Sequence, residues 1–317
     1  MANITAAMVK DLREMTGAGM MECKKALTET DGDMDAAVEV LRKNGQAKMD
    51  KKASRIAAEG LTRIAVKDDK TAAVVEVNSE TDFVAANEKF QTFVEAVATQ
   101  AVNSDAADMD AFLAEPWNAD TSKTVNDALV EITAVISEKI SIRRFEKVVS
   151  TDGIVVPYVH GGGRIGVIVE AATDVVNDNI KEAVKNIAMQ VAALYPKYVD
   201  MSEISEEFKE HEKEILLAQA IKENEELPAE KRKSQEIIEK MLIGRLNKEL
   251  KEICLNEQVY VKAEDGKQTV AKYIEQVGKA EGAALSIKRF VRFETGEGIE
   301  KKEENFVEEV AKQAGMM

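Results

Sequence analysis

The chain has 317 residues and a formal net charge of −15, a length that suggests two or three domains and a field that repels phosphate backbones. There is no basic stripe with interleaved aromatics, so direct nucleic-acid binding is set aside. Two cysteines far apart, Cys23 and Cys254, make neither a disulfide framework nor a thiolate zinc site, and no run reaches the roughly 18 apolar residues of a membrane span.

The first residues lack the apolar run of a signal peptide, which points to a cytoplasmic protein. Residues 4–45 read as three helices. Ile4, Met8, Leu12 and Met15 recur at helical spacing behind Thr5, an N-cap residue type. Gly17-Ala-Gly19 breaks that helix, Met20, Cys23 and Leu27 share a face of the second, and Asp33 caps a third lined by Ala37, Val38 and Leu41, which Gly45 ends. A bundle of this size resembles the ubiquitin-associated type. Met20 and Met21 are neighbours, about 100° apart on a helix, and cannot both point inward. Either Met20 is core and Met21 a boundary residue, or Met21 with Lys24 and Lys25 offers a small contact patch, since methionine adapts to partner surfaces. Residues 46–57 are polar and basic and read as a linker or a partly exposed helix.

The chain then repeats itself. One copy starts at Gly60 and one at Gly153, and each reads strand, tight turn, strand ending in an acidic residue (Glu76, Glu170), Thr-Asp corner, helix. Phe90, Phe93, Val94, Val97, Ala98 and Ala101 have the same offsets as Ile180, Ala183, Val184, Ile187, Ala188 and Val191, so each helix lays one apolar stripe on its own sheet. The copies differ at the corner. From Glu76 to Phe90 is fourteen steps, from Glu170 to Ile180 ten. The excess lies in Glu76-Val-Asn-Ser-Glu-Thr-Asp-Phe-Val-Ala85 and holds Asp82 and Phe83. Loops that outgrow their structural task often carry function. Phe83 either folds back onto its own helix or waits for a partner.

Residues 103–122 read as polar and irregular around Trp117, and 124–139 as a helix with Val125, Leu129, Ile132 and Ile136 on one face. A strand from Ile140 leads into the second copy, whose turn is His160-Gly-Gly-Gly163. That turn lies between two strands, which argues against a phosphate loop. Ile204, Phe208, His211, Ile215 and Ala218, then Ile238, Leu242, Leu246, Leu250 and Ile253, mark the seams of a charged, protruding antiparallel helical hairpin with coiled-coil spacing, His211 being a packed spacer. A strand at 258–263, a helix carrying Val270, Tyr273, Ile274 and Val277, a strand at 283–293 joining the second sheet, and an acidic tail helix with Phe306, Val307 and Val310 complete the reading.

The expected fold is α+β, with a duplicated core of antiparallel sheets. Its expected division is an N-terminal module at 1–50, core subdomain N at 55–142, core subdomain C at 143–200 with 255–296, the hairpin at 201–254 and the tail at 297–317. No nucleophile stands in a turn signature and the two histidines lack a triad context, so the chain reads as a binding protein rather than an enzyme. Glu76, Glu80 and Asp82 could in principle form a carboxylate metal site, but their spacing misses the calcium-loop pattern.

Two segments, Leu12-Arg-Glu-Met-Thr-Gly-Ala-Gly-Met-Met-Glu-Cys-Lys-Lys-Ala-Leu27 and Glu76–Ala85, resemble the two signatures of the bacterial elongation factor Ts family. The resemblance extends over the whole chain, and Ala86 departs from the basic residue or Asn that many members carry. It implies a guanine-nucleotide exchange factor for elongation factor Tu that binds the GDP form, displaces Mg²⁺, speeds GDP release and leaves when GTP binds. It implies no cofactor and no resident metal. By the same resemblance Thr81, Asp82, Phe83 and Val84 enter the GTPase near its Mg²⁺ site, while Met20, Met21, Lys24, Ile136 and His160 make further contacts. A dimer of heterodimers with that partner falls within this expectation. Two other classes stand beside it: an adaptor acting through the N-terminal module alone, and a metal enzyme using Glu80 and Asp82.

Overall fold

The computed structural model describes residues 4–300. Helices α1 (Ala6–Thr16), α2 (Met20–Glu29) and α3 (Met34–Lys52) open the chain. The Thr5 hydroxyl accepts from the Met8 N–H at 3.3 Å and the Asp33 carboxylate from that of Ala36 at 2.9 Å, so both caps form where their residue types suggest. Val9, Leu12, Cys23, Ala26, Leu27 and Ala37 make a small core. Met20 is not part of it. Gly19 is the N-cap of α2, which leaves Met20 and Met21 both exposed on its first turn.

The first copy follows as β1 (Glu59–Asp68), β2 (Thr71–Ser79), α4 (Asp82–Ala85) and α5 (Glu88–Asn103). The segment read as irregular is ordered as α6 (Met109–Ala114), β3 (Pro116–Trp117) and β4 (Asp120–Thr124). Trp117 is buried with its ring 5.9 Å from that of Phe93, and the Gln100 amide takes the Asn118 N–H at 2.8 Å. Helix α7 (Val125–Ile136) starts with a reciprocal cap between Thr124 and Asp127. Strand β5 (Ser141–Val149) pairs along its length with β2, giving the order β1-β2-β5. The strand therefore crosses the expected division at 142/143 and lies wholly in the first sheet.

Gly45 does not end α3. The helix runs through it to Lys52, because α3 crosses α7 there and a Cβ on Gly45 would lie 2.9 Å from Val130 Cγ1. A helical glycine costs about 0.5–1 kcal/mol relative to alanine, and here it permits the crossing. Arg42 on α3 pairs with Asp127 on α7 at 2.5 Å. Burial pushes the Asp127 carboxyl up, but hydrogen bonds from Arg42 and Thr124 outweigh it and hold the group below its ordinary value.

The second copy comprises β6 (Gly153–His160), β7 (Ile165–Thr173) and α8 (Asp178–Leu194). After it come the hairpin helices α9 (Glu206–Glu225) and α10 (Gln235–Glu252), then α11 (Val270–Glu281) and β8 (Leu285–Glu294), which closes the order β6-β7-β8. All strand pairs of both three-stranded sheets are antiparallel. The chain is thus α+β, as its pattern indicates. Along β2, Ala73, Val75 and Val77 face α5, while Ala72 and Val74 face the other sheet with Val155, Ile168, Val291 and Phe293. The core is four layers: helix, sheet, sheet, helix. The two apolar helical stripes read from the sequence are buried at every position named.

The two copies hold each other by their turns. The Thr62 N–H donates to the Gly163 carbonyl at 2.7 Å, and the Val155 N–H to the Asp69 carbonyl at 2.7 Å. Thr62 and Val155 each lie two residues past the first glycine of their copy, and Asp69 and Gly163 each lie seven before the glutamate, Glu76 or Glu170, which sits three residues inside its strand rather than at its end. The arrangement is a local pseudo-two-fold.

In the hairpin, the buried residues are Leu216 on α9 and Ile238, Leu242 and Leu250 on α10. Ile215 and His211 are exposed, so His211 is no packed spacer. Ile215, Leu216 and Leu217 are consecutive apolar residues and do not define one stripe, which is why spacing chose the wrong member. Residues 258–263 form only a single antiparallel bridge, Val259 to Thr269, and the Gln190 amide takes the other edge: it donates to the Val259 carbonyl at 3.0 Å and accepts from the Val261 N–H at 2.8 Å. The tail helix with Phe306, Val307 and Val310 lies outside the described residues.

Candidate protein-binding site

The excess residues of the first copy are one turn of helix, α4. The corners are otherwise built alike. The Ser79 hydroxyl donates to the Thr81 carbonyl at 3.0 Å, as the Thr173 hydroxyl does to that of Val175 at 2.9 Å. Asn87 caps α5 and Asn177 caps α8. Between these shared features the first copy inserts Asp82–Ala85, N-capped by Thr81, whose hydroxyl oxygen lies 3.4 Å from the Val84 N–H it accepts.

This turn sorts its side chains. Val84 and Ala85 pack on the core of the first copy, while Asp82 and Phe83 point to solvent. Phe83 is 84% exposed, the highest value for a large apolar side chain among the described residues. It is therefore not folded back onto α5. Burying a phenylalanine contributes about 1.5–3 kcal/mol, and that contribution is unrealised here.

The corner is fastened from outside the repeat. Glu80 accepts from the Lys139 N–H at 2.6 Å and from Arg55 at 3.2 Å. Glu138 accepts from the N–H groups of Glu80 at 3.1 Å and Thr81 at 3.0 Å, and from the Thr81 hydroxyl at 2.8 Å. Lys139 Nζ donates at 2.8 Å to the carbonyls of Ala53 and Arg55, just past the end of α3. Ile136, half-buried at the end of α7, stands two residues before Glu138. The structure thus brings the Thr81–Val84 turn and Ile136 onto one support. Sequence spacing missed Glu138 and Lys139. They read as the last residues of a helix at 124–139, whereas α7 ends at Ile136 and Ser137 turns the chain away at a φ of 68°.

Met20, Met21 and Lys24 are exposed on α2. Their module leans on the same helix, since a Cβ on Gly17, in the α1–α2 connection, would lie 3.3 Å from Val135 Cγ2 of α7. His160 is exposed at the end of β6, its Nδ1 2.9 Å from the Tyr158 hydroxyl. Its turn is held to β1 at Thr62 rather than to the Phe83 corner.

The carboxylate metal site is not formed. Glu76 lies on β2, fully buried, and its carboxylate is taken by Arg143 at 3.0 Å, Arg144 at 2.6 Å and the Gly296 N–H at 2.8 Å. Glu80 is occupied as described, and among the described residues no group of three His, Cys, Asp or Glu could hold a metal ion.

A family model described as Elongation factor TS matches residues 80–297. An Elongation factor Ts from Clostridioides difficile (strain 630) is 52% identical over 314 residues, 99% of each chain. One from Clostridium novyi (strain NT) is 50% identical over 311 residues, 98% of each chain. A third, from Clostridium botulinum (strain Eklund 17B / Type B), is 48% identical over 313 residues, 98% of this chain and 99% of the relative. The chain belongs to the elongation factor Ts family. In this member of the elongation factor Ts family the matched segment runs from the fastened corner at Glu80 to Glu297, which pairs with Arg144 at 3.1 Å beside Glu76. No helix among the described residues is long and apolar enough to cross a membrane.

Proposed function

We propose that this chain is a cytoplasmic guanine-nucleotide exchange factor for the translational GTPase elongation factor Tu, acting without covalent chemistry. The observation that carries the reading is Phe83, an almost fully exposed phenylalanine on a corner whose backbone is fixed by charged side chains. Phe83 enters the GTPase and shifts the elements that hold its Mg²⁺. Loss of the cation leaves the nucleotide phosphates under-neutralised, and Asp82 at the same turn adds negative charge there. Met20, Met21, Lys24, Ile136 and His160 supply further contacts, so that the factor grips the nucleotide-free partner at several points.

Linkage sets the energetic requirement. Factor and nucleotide must weaken each other's binding by the same coupling free energy. A nucleotide held at nanomolar strength corresponds to about 12 kcal/mol, so a wide interface is needed to compete with it.

Stopped-flow release of fluorescent GDP from elongation factor Tu tests the reading. Wild type accelerates release, and Phe83→Ala, with unchanged circular dichroism, loses roughly thirtyfold or more, the loss of a hot-spot side chain. No acceleration by wild type would remove the exchange function. Equal acceleration by both would remove Phe83 from the mechanism.

A further inference from the structure

Both copies latch their corner to the strand that completes the sheet. In the first, Glu80 accepts from the Lys139 N–H at 2.6 Å, and in the second Asp174 accepts from the Ala284 N–H at 2.8 Å. Glu80 and Asp174 each lie four residues past the buried glutamate of their copy, and Lys139 and Ala284 each lie three before the isoleucines, Ile142 and Ile287, that pair with Val77 and Ala171. This latch belongs to the shared fold and needs no functional explanation.

The first copy has a second latch that the other lacks. Glu138 takes two backbone N–H groups and the Thr81 hydroxyl, and the matching position in the second copy is Ala283. The extra carboxylate is found only where the extra turn is found. A single helical turn cannot hold itself, because nucleation fixes several dihedrals for one hydrogen bond. Thr81 is the N-cap of that turn, and Glu138 binds Thr81 through both its N–H and its hydroxyl.

We infer that Glu138 is a positioning residue: it fixes Thr81 as the N-cap of α4 and so presents Phe83, together with Ile136, in the orientation that engages the GTPase. The inference rests on the exchange reading. Misplacement of a contacting group by about an ångström can cost up to a hundredfold in rate, and a misdirected Phe83 loses its effect without leaving the molecule.

A double-mutant cycle in the GDP-release assay decides it, using the full-length chain. Glu138→Ala slows exchange by roughly tenfold to a hundredfold, and Glu138→Gln, which keeps one acceptor oxygen, falls between it and wild type. In a Phe83→Ala background, the effect of Glu138→Ala on exchange shrinks to the small part carried by Asp82 and Ile136, while its effect on thermal stability is the same in both backgrounds. A purely structural residue would lower exchange by the same factor with and without Phe83, and that result overturns the inference. So does an unchanged rate in Glu138→Ala when Phe83→Ala is slow, which leaves the exchange reading standing. If wild type itself fails to speed release, reading and inference fall together. Should Glu138→Ala not fold, the Glu138→Gln cycle decides by the same criteria.

Discussion

In the first copy the buried Glu76 faces Arg144 across a strand bulge, and in the second Glu170 faces Arg289 across a bulge at the same place. Each copy also starts on a glycine, Gly60 or Gly153, whose Cβ would lie 2.2 or 1.9 Å from a carbonyl oxygen of the next strand, Val77 or Ala171. Against this shared scaffold the corners differ: only the first has a turn of helix with an exposed Phe83, and a Glu138 to hold it. The duplicated strands and helices build the four layers, and the exposed Phe83 stands on a turn found in one copy alone. The difference separates what the fold requires from what it presents.

The largest effect should come from making the two corners equal. Deleting Asp82–Ala85 gives the first corner the length of the second. Exchange should fall roughly a hundredfold or more, as for loss of a principal contact, while the melting temperature moves by only a few degrees, about what 1 kcal/mol produces in a chain of this size. Retained exchange in the deletion would place the function elsewhere.

Removing the buried carboxylates sharpens the structural half. Glu76→Ala should lower unfolding free energy by roughly 3 kcal/mol, the low end for a broken buried pair because both arginines keep a path to water. Glu170→Ala should cost less, since Arg289 is half-exposed and Lys288 stands 3.9 Å away. Denaturant midpoints of the two variants measure the asymmetry, and equal losses would contradict it.

The smallest effect concerns Glu297, which pairs with Arg144 as its counterpart by register, Asp152, pairs with Lys288. Burial pushes its carboxyl up, but hydrogen bonds from Tyr195 and Arg144 outweigh this and hold it below the ordinary glutamate value. Its contribution is fully present above the unfolded value of about 4.3 and is lost as pH falls through the lower folded value. Glu297→Gln should therefore unfold at lower urea than wild type at pH 7 and match it near pH 2. A constant difference across that range would show that packing, not charge, is what the variant removes.

Much of this was legible in the chain itself. The stripes from Phe90 to Ala101 and from Ile180 to Val191 are period signals, and period survives folding because it specifies a face. The four-residue excess at the corner is a length signal, independent of environment. What escaped was set by crossings and side-chain hydrogen bonds between distant segments. Gly45 reads as a helix stop and is a crossing point, visible only once Val130 is beside it. Residues 258–263 read as a strand but make one bridge, to Thr269, with the Gln190 side chain rather than a strand on the other edge. Glu138 carries no local pattern, because its partners Glu80 and Thr81 are reached only after the first sheet has formed.

The second sheet is left unfinished for most of the chain. Strand β7 ends at Thr173, and its partner β8 begins only at Leu285, with the hairpin between them. During synthesis the first sheet has all its strands once Val149 has emerged, whereas β7 keeps an open edge until the hairpin has been made as well. Open edges invite pairing with other chains. The newborn chain therefore passes through a period in which one half is closed and the other is exposed to association, and the stretch from Thr173 to Leu285, the hairpin included, sets how long that period lasts.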